Sequence, residues 1–303
     1  MRISSNTSAL NAIYNLQKGQ TTLNKLTELT TSDQNINRPS DDPTSTSTLL
    51  NISDSLNAIS QYSTNITKAT TFLNVTSNAL TGISDTITQA KSLVDSISNG
   101  SDSASDRQSA HDQLVALKQQ IIDYANTQSG DTYVFGGTSS STAPFSSTDN
   151  SYNGDSTQSK VEITENSYQT VNITGDRLLK GSGSNPSYGS TDILKTLDDL
   201  ISAVGDSTTA SDTTAIQQGA KDLEAGATQV SNAQIDVAAR LKRLDTMSTM
   251  NTNNKTTLEN VVSGIQSVDL TTVGTELSQQ QTAYEAALAA TAKISSLSLL
   301  DYL

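Results

Sequence analysis

Residues 52–94 read ISDSLNAISQYSTNITKATTFLNVTSNALTGISDTITQAKSLV, and their spacing decides the fold. Ile52, Ile59, Ile66, Leu73, Leu80, Ile87 and Val94 recur every seventh residue without a break. A second row, Tyr62, Ala69, Thr76, Ile83, Ala90 and Ile97, stands three residues behind the first. Sustained heptad spacing is the mark of a helix with a narrow apolar seam and a left-handed supercoil. At a rise of about 1.5 Å per residue the stretch is a rod roughly 60 Å long.

The start of this helix is legible in Asp41-Asp42-Pro43. Asp42 can cap the N-terminus, Pro43 suits the first helical position, and Asp41 adds negative charge at the positive end of the dipole. Asn99-Gly100 is the expected stop. Ser105 with Gln108 reads as a capping box for a further helix carrying Leu114, Leu117, Ile121 and Tyr124.

From Gly130 to about Gly189 the chain turns rich in Gly, Ser, Asn and Asp. Thr132-Tyr133-Val134-Phe135 is one candidate strand. Val161 and Ile163, then Val171 and Ile173, alternate at the strand period around Glu165-Asn166. Helix returns at Asp192 with Ile193, Leu197, Leu200 and Val204. A second long helix from about Asp212 repeats the heptad at Ile216, Leu223, Val230, Val237, Leu244, Leu258 and Ile265, broken by the polar Asn251.

Thinner stripes occupy the two ends: Ile13, Leu16, Leu23 and Leu26 near the start, and Val273, Leu277, Tyr284, Leu288, Ile294 and Leu297 near the finish. Stripes of four to six apolar residues are marginal by themselves, so these helices are expected to be mobile in the free subunit and ordered by neighbours. The fold class expected is mainly α, an elongated heptad-rich helical bundle with paired N- and C-terminal helices and an inserted small β-rich module. The expected division is an N-terminal assembly helix (1–42), the first part of the helical body (43–128), the β-rich module (129–190), the second part of the body (191–265) and a C-terminal assembly helix (266–303).

Composition agrees with narrow seams. Hydrophobic residues make up 34% of the chain and glycine 16 of 303 residues, with no Trp and three Phe. That is below the roughly 45–50% of an ordinary globular domain. A net charge of −13 argues against nucleic acid as a partner. Arg240, Lys242 and Arg243 form the densest basic run and read as a solvated helix face. No run approaches the length of apolar sequence needed to cross a membrane.

No catalytic, cofactor-binding or metal-ligating set emerges. The chain has no cysteine and one histidine, His111, which excludes disulfides and a Cys–His pair. Asp149-Asn150-Ser151-Tyr152-Asn153-Gly154 opens like a calcium loop, but its twelfth position is Lys160 where a bidentate Glu is required, so it reads as a turn. Gly181-Ser182-Gly183-Ser184 lacks the Lys-Ser or Lys-Thr pair of a phosphate cradle.

Particular residues resemble the flagellar hook-associated protein 3 family. They are the start Met1-Arg2-Ile3-Ser4, the run Ile36-Asn37-Arg38-Pro39-Ser40-Asp41-Asp42-Pro43, the segment Tyr133-Val134-Phe135-Gly136-Gly137-Thr138, and the ending from Tyr284-Glu285-Ala286-Ala287-Leu288 to Leu303. One departure stands out: Ser32-Asp33-Gln34-Asn35 occupies the place of a Ser-Gly-Lys-Arg usual in that family. The resemblance implies a structural subunit of the bacterial flagellum that joins hook to filament. It implies type III export, and a cytosolic chaperone on the C-terminal helix. It also implies self-association in a ring, with a neighbouring hook-associated protein and flagellin as further partners. On this reading Ile13, Leu16, Leu23, Leu26, Leu277, Tyr284, Leu288, Ile294 and Leu297 form the assembly interface. A flagellin-type filament subunit is the nearest alternative, although flagellins carry Ser-Ala-Lys-Asp-Asp where this chain has Arg-Pro-Ser-Asp-Asp. A soluble coiled-coil adaptor would share the heptads, and an adhesin or enzyme on the same scaffold would need its activity in residues 130–190.

Overall fold

The computed structural model describes residues 2–98, 103–139, 141–182, 187–205 and 210–300, with side chains described for all of these except 2–6, 8, 9, 210–212 and 294–300. In chain order the elements are helices α1 (Arg2–Ser32), α2 (Pro43–Ile97) and α3 (Ala104–Ala125), then strands β1 (Gln128–Ser129), β2 (Thr132–Tyr133), β3 (Lys160–Thr164) and β4 (Ser167–Thr170). Helices α4 (Gly175–Leu179), α5 (Ile193–Gly205), α6 (Ala210–Gln266) and α7 (Leu270–Leu300) complete the chain. Two compact units emerge: one from Met1–Asn57 with Asn254–Leu303, the other from Ala58–Asn253. The expected stop at Asn99-Gly100 lies outside the described residues.

The unit Ala58–Asn253 is built on the two heptad stripes. Ile66, Leu73, Leu80, Ile87 and Val94 of α2 are buried, as are Ala69, Thr76, Ile83, Ala90 and Ile97 of the second row. Ile216, Leu223, Val230, Val237 and Leu244 of α6 are buried in the same cluster. The helices run antiparallel, with Lys91 3.4 Å from Glu224 and Ile66 beside Leu241 and Leu244. A companion row on α6 includes Gly219 and Gly226, where a Cβ would overlap Leu200 and Ile193 of α5. Those glycines let α5 lie directly on the α6 backbone. Fully burying each large aliphatic residue contributes about 1.5–3 kcal/mol, and this unit has a continuous row of them.

The small β-rich module packs its apolar residues into this core. Val134, Phe135, Phe145, Ile163, Ile173, Leu178 and Leu179 join the helical side chains in one cluster. The expected strand at 132–135 is only Thr132–Tyr133, paired with β1, because Val134 and Phe135 turn inward and are fully buried. Strands β3 and β4 form an antiparallel hairpin with an irregularity between Glu162 and Thr164. At its turn Asn166 takes a left-handed φ of 57° and its N–H donates to Glu162 Oε1 at 3.1 Å.

Polar side chains fasten the hairpin to both rods. Asn65 of α2 donates to the Glu162 carbonyl at 3.0 Å, and the heptad-breaking Asn251 of α6 donates to the Ile163 carbonyl at 3.3 Å. Arg240 corrects the sequence reading of a solvated basic face. It is 8% exposed, grips both oxygens of Asp236, and donates to the Asn172 carbonyl at 2.8 Å. Tyr188 donates to the same Asp236 at 2.6 Å, and burial pushes its phenol pKa upward. Buried charge of this kind is tolerated only when fully paired.

Three local readings resolve further. The α3 capping box is Ser103 with Asp106, two residues before the expected Ser105 and Gln108: the Ser103 hydroxyl accepts from the Asp106 N–H and the Asp106 carboxylate accepts from the Ser103 N–H. The Asp149 carboxylate closes a turn, accepting from the Ser151 N–H at 3.1 Å and hydroxyl at 2.8 Å. The segment from Phe135 to Thr138 wraps Asp155. Gly137 has a φ of 73°, and the Thr138 hydroxyl, Thr138 N–H and Ser139 N–H all donate to the Asp155 carboxylate.

Candidate assembly surface

In the unit Met1–Asn57 with Asn254–Leu303, α1 and α7 lie antiparallel. Asn35 donates its N–H to the Gln266 carbonyl at 2.7 Å, Gln34 bridges Ser267, and further along Gln280 donates to the Gly19 carbonyl at 3.3 Å. The shielded positions alternate by four and three residues on both helices. On α1 the alternation runs through Ala12, Leu16, Gly19, Leu23, Leu26 and Thr30, with Lys25, Glu28 and Leu29 also part-shielded near the connector, and on α7 through Val273, Leu277, Gln280, Tyr284, Ala287 and Thr291. This is the a/d pattern of a coiled-coil pair. Gly19 serves as a hole: a Cβ there would stand 3.2 Å from the Tyr284 ring.

The connector between α1 and α2 folds back on α1. Asp41 accepts from the Asn37 and Arg38 N–H groups at 3.2 and 3.1 Å and from Lys25 at 2.9 Å. The Lys25 hydrogen bond holds its carboxyl below the ordinary carboxylate range. Asp42 accepts from the Thr44 and Ser45 N–H groups at 3.0 and 3.1 Å, so it caps α2 with Pro43 as the first helical residue. The Ser45 hydroxyl, also donating to Asp42, lowers the pKa of that carboxyl. Arg38 reaches Glu28 at 3.3 Å across a largely exposed pair that contributes about 0–1 kcal/mol.

Asp33 explains what the replacement of a glycine in Ser32-Asp33-Gln34-Asn35 does. Its N–H ends α1 on the Leu29 carbonyl at 3.1 Å, and its φ is 54°, the left-handed cap position that favours glycine.

The sequence-predicted interface residues divide in the structure. Leu16, Leu23, Leu277 and Tyr284 are half-buried in the α1–α7 seam, and Leu26 is buried there. Ile13 is 48% exposed on the flank of the α1 seam, and Leu10 and the 65%-exposed Tyr14 are exposed on the face away from it. Leu288 does not continue the seam. That place belongs to Ala287, and Leu288 is 44% exposed beside it. Ile294 and Leu297 lie outside the described side chains. Leu10, Tyr14 and Leu270 are exposed apolar residues that the sequence stripes did not include, and their off-seam placement shows only once α1 and α7 are paired. Among the described side chains of α1 and α7, Leu26 alone is buried.

The architecture defines a class first: a mainly α, flagellin-like fold with a small β module. Residues 3–139 match the model of the bacterial flagellin N-terminal helical region. More particularly, the chain is similar to proteins named flagellar hook-associated protein 3. It is 25% identical to the one from Escherichia coli over 276 residues, 87% of each chain, and 23% identical to the one from Salmonella typhimurium over 299 residues, 94% of each. The fold is also that of the flagellar junction protein from Legionella pneumophila, with a TM-score of 0.59 and 20% identity over 72% of this chain and 99% of that one.

Proposed function

We propose that this chain is the structural, non-catalytic subunit that joins hook to filament, and that it assembles through α1 and α7. The observation that carries the reading is the contrast between the large buried cluster of Ala58–Asn253 and the terminal helices, where Leu26 alone is buried among the described side chains and Leu10, Ile13, Tyr14 and Leu288 are exposed. Exposed apolar clusters of this kind favour a partner surface. Neighbouring copies in a ring, an adjoining hook-associated protein and flagellin would cover them in the flagellum. After export to the cell exterior the subunit would no longer need a cytosolic chaperone, which would shield the C-terminal helix beforehand. The flagellin-type match over residues 3–139 keeps a filament subunit as the second reading.

Leu288→Asp tests the role of the exposed face. A charge at a position already 44% exposed leaves the monomer's stability within about 0.5 kcal/mol of wild type. It places an unpaired carboxylate in any interface that covers it, at a cost of several kcal/mol. Normal melting with flagella that stop at the hook is the expected result. Normal flagella from the variant would remove α7 from the interface.

A further inference from the structure

We infer that the chain closes a covalent cross-link between Lys118 of α3 and Asn150, with Asp198 of α5 carrying the protons. The three side chains come from separate elements and meet at one carboxylate. Lys118 Nζ donates to Asp198 Oδ1 at 2.5 Å, and Asn150 Nδ2 donates to Asp198 Oδ2. The Lys118 side chain is 17% exposed and Asn150 is 6% exposed. Helix α3 packs on α5, with Leu114, Ile121, Leu194 and Leu197 around the cluster's level fully buried.

Asn150 is held in place for this chemistry. It occupies a tight turn in which Phe145 bridges Tyr152, Ser146 donates to the Ser151 carbonyl at 3.1 Å, and Asn153 donates to the Pro144 carbonyl at 2.8 Å. Its own φ is 56°, an uncommon conformation outside glycine. Its Oδ1 is buried without a hydrogen-bond partner, so the amide is anchored through its nitrogen alone. An unpaired buried amide oxygen costs about 1–3 kcal/mol, and a structural network would be expected to satisfy it.

The arrangement matches an amide exchange. Asp198 takes a proton from the Lys118 ammonium, and the neutral Nζ attacks Cγ of Asn150. A bond forms between Nζ and Cγ, and the bond between Cγ and Nδ2 breaks. Asp198 already touches that leaving nitrogen and acts as its general acid. The two protons lost by Nζ depart with the asparagine nitrogen as ammonium, and one proton stays on the new amide. No oxidant, metal or cofactor enters the balance. In a chain without cysteine, the bond would brace the 144–153 turn against α3 in any redox compartment.

Mass spectrometry of the full-length protein decides the question. The expected protein is lighter than its sequence by one ammonia, and its protease digest contains a branched peptide joining the Lys118 and Asn150 segments. Lys118→Arg and Asp198→Ala each restore the full mass. Wild-type protein at its full sequence mass overturns the inference, and it needs no variant to fold. So does an ammonia loss that persists in Lys118→Arg, since a succinimide at Asn153-Gly154 would produce it.

Discussion

Gly137→Ala is the sharpest test of how the β-rich segment is built into the helical body. Gly137 has a φ of 73°, which costs an L-residue about 1–2 kcal/mol. A Cβ there would also stand 2.2 Å from the Asp155 carbonyl oxygen and 2.4 Å from its Oδ1, so the backbone must shift. That shift pulls the Thr138 and Ser139 N–H groups from the Asp155 carboxylate, where they now sit at 3.0 and 2.8 Å. Hydrogen bonds to charged groups contribute about 1.5–3 kcal/mol when buried, and less at a half-exposed carboxylate such as this one. Allowing about 1–2 kcal/mol for both bonds, the total loss is about 3 kcal/mol. Gly130→Ala is the control: its φ is 63°, yet nothing lies within 4 Å of the added Cβ, so it loses only about 1 kcal/mol. Urea unfolding followed by circular dichroism measures both. Equal losses in the two variants would refute the claim that the close approach to Asp155 matters.

Asp33→Gly is expected to raise the stability of the α1–α7 unit by about 0.5–1 kcal/mol, because it relieves a left-handed cap and removes a negative charge from the C-terminal end of α1. A lower melting temperature in the variant would refute that account of the cap. The Thr138 hydroxyl, with the neighbouring N–H groups, holds the Asp155 carboxyl well below its ordinary value of 3.8. The stability it contributes is complete above about pH 5 and falls away as the pH drops through the ordinary value toward the folded one. Asp155→Asn should therefore flatten the loss of stability between about pH 5 and pH 2 without abolishing it, since Asp149, lowered to about 2 by the Ser146 and Ser151 side chains, still titrates. Identical acid profiles for the two proteins would contradict the assignment.

Sequence spacing revealed the helices because a narrow seam leaves a periodic trace in the chain. Ile52 to Val94 and Ile216 to Leu244 could be read as stripes for that reason. The role of Arg240 could not, because its partners at Thr170 and Asn172 are some seventy residues away and only folding brings them together. The burial of Val134, Phe135 and Ile163 against the helices was illegible for a related reason: short strand-prone runs show no period that would reveal which helix they bury against. At the candidate interface, Leu277 and Tyr284 lie on the α1–α7 seam. Leu288, four residues after Tyr284, stands at a spacing that a heptad seam allows. The alternation of three and four residues instead lands on the small Ala287, which leaves Leu288 facing outward.

Immunogold labelling of isolated flagella with an antibody to this chain tests the central claim most directly. A subunit that joins hook to filament predicts one narrow band of label at that boundary on each flagellum. Label spread along the whole filament would contradict the junction reading and make the chain a filament subunit.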